Sequence, residues 1–382
     1  MKKIIYITIL SRVAFLVIGV IAFLNLSFQT QNYLGNFHYP TIENSTILPF
    51  KTWDAQHYLF LADKGYLLGQ ESNRFFPLYP ALIFGLTIFL KNSLVVSYAL
   101  SLLFCIGCVA TIYKLSEKLF PKKNIGFLST LFLLSFPTAF YLSLPYTESL
   151  FLFLCLQFFY RMETKKMRTA LLCLLLIPLT RPTGIFILLP CLYYVLHSPS
   201  IVVVSIPTFN KPIKIPFAKN LMLLIVPLVG ILIYFLMHQI LLHNPLAGIT
   251  GISSVASWNP INILDPGSLL RNLLSYELQL HGFQTSFLDR AFFVLFLCML
   301  PLIFKKLPRQ YFYFSLVMGL VPLLGSFTSY MRYVLPVFPL FIVLALLLKD
   351  RKMILPRIFL LLIFISLQIC FFVMHILNYW VS

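Results

Sequence analysis

Long apolar runs separated by short polar connectors dominate this chain. The first runs from Ile4 to Leu26 and is interrupted only by Arg12; later ones fall at roughly 93–113, 124–144, 148–160, 168–180, 183–197, 220–242, 287–304, 311–325, 334–348 and 354–378. A membrane-spanning helix needs about 20 apolar residues, so these eleven runs read as crossings. The runs at 148–160, 168–180 and 183–197 are short for full spans, and half-helices are expected among them. A further stretch, 77–90, is short and punctuated by proline, and reads as a re-entrant or surface helix. The first run is too long for a signal-peptide core. Phe23-Leu24-Asn25-Leu26 also lacks a small-residue cleavage pattern, so an uncleaved helix is expected. No internal repeat of the kind found in many transporters is visible. The expected fold is an all-α polytopic membrane protein of about eleven spans, in one domain covering 1–382.

Charge fixes the expected orientation. With the N-terminus inside and 77–90 not crossing, 20 of the 29 basic residues fall on the inner side and eight on the outer, with Arg12 inside the first helix. That is the positive-inside pattern. The acids invert it, with eight of eleven outside. The active face and both long loops, 27–76 and 243–286, are therefore expected on the outer side, in a plasma-membrane protein with a cytoplasmic N-terminus. Composition agrees: 60% of the residues are hydrophobic and 10% charged, with a mean hydropathy of +0.91. The net charge of +18 sits in connectors and argues for no nucleic-acid partner. All seven cysteines lie in apolar runs, and Cys105-x-x-Cys108 has no second pair or histidine nearby, so no metal or redox site is expected.

Chemistry-bearing residues gather on the outer side. In Trp53-Asp54-Ala55-Gln56-His57-Tyr58, Asp54, His57 and Leu61 share one face of a helix that Gly65 ends. An amphipathic helix on the outer surface is expected there. Asp54 has two readings: a cap of that helix, or a general base that accepts a proton from a sugar hydroxyl. His57 reads equally as a site residue or a supporting one. Arg74, in Arg74-Phe75-Phe76-Pro77-Leu78-Tyr79-Pro80, is an interface anchor or a phosphate ligand. Glu148, in Tyr146-Thr147-Glu148-Ser149, offsets a helix dipole or points into the bundle as a functional group. Arg181, in Thr180-Arg181-Pro182-Thr183-Gly184, needs a partner at an outer hairpin, which Glu148 or a phosphate supplies. Arg332 and Tyr333 fit a phosphate fork with an aromatic flank, or a plain interface belt. The 243–286 loop, with Trp258, Asp265, Arg271, Glu277 and His281, carries no metal-ligand spacing; a lid or acceptor-binding role is open to it.

These five segments, in this order, resemble the first-loop W-D-x-x-H-[YF] signature and later motifs of the GPI mannosyltransferase II (PIG-V-type) family and its bacterial relatives. The likeness spans positions 53 to 333. It implies a GT-C glycosyltransferase fold, and a sugar, usually mannose, moved from a polyprenyl- or dolichyl-phosphate donor to a lipid or glycan acceptor on the non-cytoplasmic face, with inversion. By resemblance Asp54 is the base; the need to neutralise the departing phosphate assigns Arg181 and Arg332 to it. Whether a divalent metal takes part is left open. Two other readings compete: a lipid-linked sugar flippase, which needs ionisable groups along the span, and a non-catalytic scaffold, which leaves the clustered charges unused.

Overall fold

A computed structural model of the chain describes residues 1–39, 47–197, 202–204, 213–215, 220–248, 265–274, 279–282, 286–324 and 327–381. Each of the eleven apolar runs forms a helix. In chain order the helices are α1 (Lys2–Asn25), α2 (Thr30–Leu34), α3 (Asp54–Lys64), α4 (Leu78–Leu90), α5 (Ser93–Leu119), α6 (Gly126–Ser135), α7 (Glu148–Glu163), α8 (Met167–Leu176), α9 (Leu188–Leu196), α10 (Met222–Leu242), α11 (Pro266–Leu273), α12 (Phe287–Lys306), α13 (Arg309–Leu320), α14 (Tyr330–Val334), α15 (Phe338–Leu348) and α16 (Ile354–Ile376). The described residues add one short antiparallel ladder, Val202–Val204 against Ile213–Ile215.

Among the described residues, five helices are long and apolar enough to cross a membrane by themselves: Lys2–Asn25, Ser93–Leu119, Met222–Leu242, Phe287–Lys306 and Arg351–Ile376. Several others break at prolines. Pro137 follows α6, Pro178 sits in a 3-10 turn after α8, and Pro182 opens the turn before α9. Proline removes a helical donor and clashes with the preceding turn. A break inside a bundle is tolerated only where the freed carbonyls find partners. Arg12 meets that need at the first break: its guanidinium, buried within α1, donates to the carbonyls of Ala139 (3.1 Å) and Leu134 (3.2 Å).

Two ends of the bundle can be told apart. α1 and α16 run parallel, since Phe15 meets Phe372 edge-to-face at 5.1 Å and Gln29 N–H donates to Leu377 O at 2.9 Å. Lys2 therefore lies at the same end as Arg357, and Lys123 and Lys349 line one cleft with Arg357. At this basic end, too, Tyr311 of α13 donates to Glu163 of α7 at 2.9 Å. Glu148 begins α7 and so lies at the opposite end. The core between is aromatic: Phe136 contacts Phe292, Phe341 and Phe364, while Phe159 contacts Tyr311, Phe314 and Phe338. In lipid such interlocking takes the place of the hydrophobic effect as the force between helices.

The sequence predicts α3 as an amphipathic surface helix. The helix exists and ends at Gly65, whose φ of 76° suits glycine. It is not a surface helix: Ala55 through Leu59, Leu61 and Ala62 are all buried, against α4, α5 and the 3-10 turn Glu71–Arg74. Polar residues on its second face find partners inside, although the Gln56 Nε2 amide has none among the described residues, so periodicity alone misjudged their environment. His57 Nδ1 meets Ser72 Oγ at 2.9 Å, and Gln56 Oε1 accepts from Tyr39 N–H at 3.0 Å.

Candidate functional site

Four of the residues singled out in the sequence meet at the end opposite the basic cleft. Arg332 bridges two acids: its Nε donates to Glu148 Oε1 at 2.5 Å and its Nη2 to Asp54 Oδ2 at 2.7 Å. Arg181 lies 3.1 Å from the same Glu148 oxygen. Two carboxylates and two guanidiniums thus form one chain of opposite charges, drawn from residues 278 positions apart in sequence. Neither acid serves as a helix cap, although each stands in the first turn of its helix. Both carboxylates turn to tertiary partners instead.

Local sequence explains how each group is presented. Trp53 precedes Asp54 at φ 56° and ψ −139°, a region costing on the order of 1–3 kcal/mol for a bulky residue. Its ring packs edge-to-face on Trp380 at 5.6 Å. Arg181 sits between two 3-10 turns, Ile177–Leu179 and Pro182–Ile187. Gly184 lets those turns press together, since a Cβ there would stand 2.5 Å from Ile177 O. Ser329, at φ 62°, starts α14, and Asp289 Oδ1 accepts Met331 N–H at 2.8 Å, fixing the backbone next to Arg332.

The Arg332 guanidinium is also held between aromatic faces, 4.7 Å from the Tyr141 ring centroid and 4.8 Å from that of Tyr146. Such cation–π contacts contribute roughly 0.5–2 kcal/mol each. Arg181 lies 5.5 Å from the ring of Tyr333, which brings Tyr333 into the same group. Arg74 pairs with Glu71 at 2.9 Å. It stacks on Phe75 at 5.2 Å, and its charge acts on both Asp54 and His57. Within direct reach, then, Arg74 serves a local pair, and its part in the cluster is electrostatic. His57 lies between the rings of Phe37 (4.7 Å) and Phe75 (4.5 Å), both stacked.

Burial and charge compete at each titrating group. Burial pushes the Asp54 carboxyl up. The Arg332 guanidinium beside it, aided by His57 and Arg74, outweighs that and holds it below the usual carboxylate range. His57 is driven down to about 3, first by burial and then by Arg74, against the pull of Asp54. It is therefore a neutral ring near neutral pH. Burial lowers Arg332, but Glu148 and Asp54 more than reverse this and hold its proton tightly. Exposure separates the two acids: the Glu148 side chain is 0% exposed and that of Asp54 31%. Asp54 is the solvent-accessible member of the pair.

Sequence reasoning missed Tyr141, His375 and the tether from Asp289. Tyr141 OH lies 3.4 Å from His375 Nδ1, and both residues sit within apolar runs that carried no polar signal. Of the long 243–286 loop, Asp265 and Arg271 form an exposed pair at 3.7 Å, and His281 Nδ1 meets Ser286 Oγ at 3.1 Å. Trp258 and Glu277 lie outside the described residues. Among the described residues no cluster of three or more His, Cys, Asp or Glu could hold a metal ion. Cys105 and Cys108 are buried free thiols on α5.

No protein-family model matches this sequence, and no curated protein does. Among solved structures the chain is similar to the Archaeoglobus fulgidus oligosaccharyltransferase. With that protein tethered to an acceptor peptide the identity is 13% and the TM-score 0.42, over 96% of this chain and 55% of the other. In complex with zinc and sulfate the values are 12% and 0.45, over 96% and 53%. With an inhibitory peptide and dolichol-phosphate they are 13% and 0.39, over 96% and 55%. The chain spans about half the length of the structures it matches.

Proposed function

We propose that this protein is a polytopic glycosyltransferase. It moves a sugar, mannose by the motif resemblance, from a polyprenyl- or dolichyl-phosphate donor to a lipid or glycan acceptor on the non-cytoplasmic face. The observation that supports this most is the bridge from Arg332 to both Asp54 and Glu148, with Arg181 on the second acid. Buried charges in a membrane bundle are costly and mark function. Here they sit at one end, with one carboxylate reachable from outside.

The chemistry follows from charge placement. Asp54 is ionised, so it can take the proton of an acceptor hydroxyl as that oxygen attacks the sugar's anomeric carbon. The new carbon–oxygen bond forms while the bond to the lipid phosphate breaks on the opposite face, and the electron pair leaves with the phosphate. The configuration inverts in a single step. Arg181, at the edge of the cluster, neutralises the departing phosphate. Arg332 already spans two carboxylates through Nε and Nη2, so its first task is positioning. As the phosphate enters, it competes for that guanidinium, and Asp54 regains basicity when the proton must move. His57, neutral, supports the wall beside Asp54.

Transfer of radiolabelled mannose from polyprenyl-phosphate-mannose in membranes, by wild type and Asp54→Asn, tests the reading. The expected result is transfer by the first and near-complete loss in the second. Equal transfer by both overturns it. So does reporter tagging that puts residues 30–75 in the cytosol.

A further inference from the structure

At the basic end, some distance from these carboxylates, lies a cavity of about 560 Å³ lined by Lys123, Asn124, Lys349, Asp350 and Arg357 at its rim and by Phe127, Leu128, Leu131 and Leu361. Arg357 and His375 both lie on α16, 18 residues apart. At 1.5 Å per residue the cavity and the carboxylate cluster are about 27 Å apart along the helix, close to the thickness of a bilayer's hydrocarbon core.

We infer that this cavity binds the headgroup of an anionic phospholipid from the cytosolic leaflet. Three cations and one carboxylate line it, so it carries a net charge of +2 toward a ligand. Arg357 is fixed for the role: its Nη1 donates to Leu348 O at 3.2 Å and lies 3.5 Å from Lys349 O, the carbonyls that end α15. Lys123 rests over the Phe120 ring at 5.0 Å. Lys349 reaches Asp350 only at 4.0 Å, and both are exposed. A loosely paired lysine is available to a phosphate. The apolar wall decides between a lipid and a free anion. Phe127 is 39% exposed, and Leu131 and Leu361 follow Phe127 and Arg357 one turn further along α6 and α16, an apolar wall suited to an acyl chain. Basic pockets between helices at the cytosolic surface recognise anionic headgroups in this manner. The site does not depend on the proposed transfer reaction.

The test is lipid binding by the purified full-length protein in detergent, read by native mass spectrometry with phosphatidylglycerol, phosphatidylcholine and inorganic phosphate as probes. Each cation near an anionic surface is worth about 5-fold in affinity, so Lys123→Gln with Lys349→Gln is expected to weaken phosphatidylglycerol binding about 25-fold. Lys122→Gln with Lys352→Gln removes the same charge beside the cavity and serves as control, with an expected loss of less than about 5-fold. Arg357 stays unchanged because it also closes α15. Equal losses in the two double variants overturn the inference, since the effect is then diffuse attraction. Phosphatidylcholine binding as tightly as phosphatidylglycerol also overturns it. Displacement of the lipid by equimolar inorganic phosphate assigns the cavity to a free anion instead.

Discussion

Asp54 and Glu148 share one arginine but differ in burial, and that difference predicts opposite phenotypes for the same chemical change. Asp54→Asn keeps an oxygen that can accept from Arg332 Nη2 and loses only the charge. Because the Asp54 side chain is 31% exposed, water screens its pair, and the cost to stability is about 1 kcal/mol. Losing the base, however, lowers the turnover rate by about 100- to 10,000-fold. Glu148→Gln removes the charge that faces Arg332 at 2.5 Å and Arg181 at 3.1 Å with no exposure. Two guanidiniums are then left with less than their compensating charge, and breaking a buried pair costs about 3–5 kcal/mol. The assay pairs initial transfer rates at saturating donor with denaturant unfolding of both variants in detergent. The expected outcome is an inactive but stable Asp54→Asn and a destabilised Glu148→Gln. Asp54→Asn retaining more than about a tenth of wild-type turnover refutes the base assignment. A Glu148→Gln protein as stable as wild type refutes the view that Glu148 anchors the cluster.

Other outcomes follow from the same geometry. Arg332→Lys keeps the charge but presents one compact ammonium that cannot bridge two carboxylates. Turnover should fall about 100-fold through misplacement of Asp54, and donor KM should change less; an unchanged turnover counts against bridging. Asp54 titrates below the usual carboxylate range and His57 at about 3, so turnover should show no acid limb between pH 5 and 8; a limb there in a rate profile contradicts the assignment. Stability should nonetheless decline as pH falls from about 6.5 toward 3, because unfolded His57 takes up a proton that the folded ring refuses. His57→Gln should flatten that decline in unfolding titrations. Asp289→Ala frees Met331 N–H beside Arg332 and should cost about 1–3 kcal/mol together with a drop in turnover; a loss in stability alone limits Asp289 to a structural role.

Much of the cluster could be read from sequence because charged residues in an apolar chain are few and each needs a partner. Arg181 at a hairpin between apolar runs called for a partner, either a phosphate or Glu148, and it pairs with Glu148 at 3.1 Å. The helices were legible for the same reason: each apolar run is helical because a lipid-facing backbone must satisfy its own hydrogen bonds. Two kinds of information were not local. The burial of α3 depends on α4, α5 and the 71–74 turn closing over it, and periodicity in eleven residues does not encode that. Tyr141 and His375 read as ordinary members of apolar runs, and become neighbours of Arg332 only when distant helices pack. The double engagement of Arg332 was hidden too, since sequence showed a cation without showing how many acids it serves.

Arg12 bears on how the chain enters its membrane. Near the centre of a lone apolar helix an arginine disfavours insertion by about 2.5–3.5 kcal/mol. Its partners, Leu134 O and Ala139 O, lie more than 120 residues downstream. The first segment alone therefore inserts less favourably than its other residues would allow, and the Arg12 guanidinium finds its carbonyl partners only once the segment around Pro137 is in place. Replacing Arg12 with leucine should let a fragment ending before residue 120 integrate more readily in a cell-free translocation assay, while the finished protein loses an anchor between its first helix and the Pro137 break.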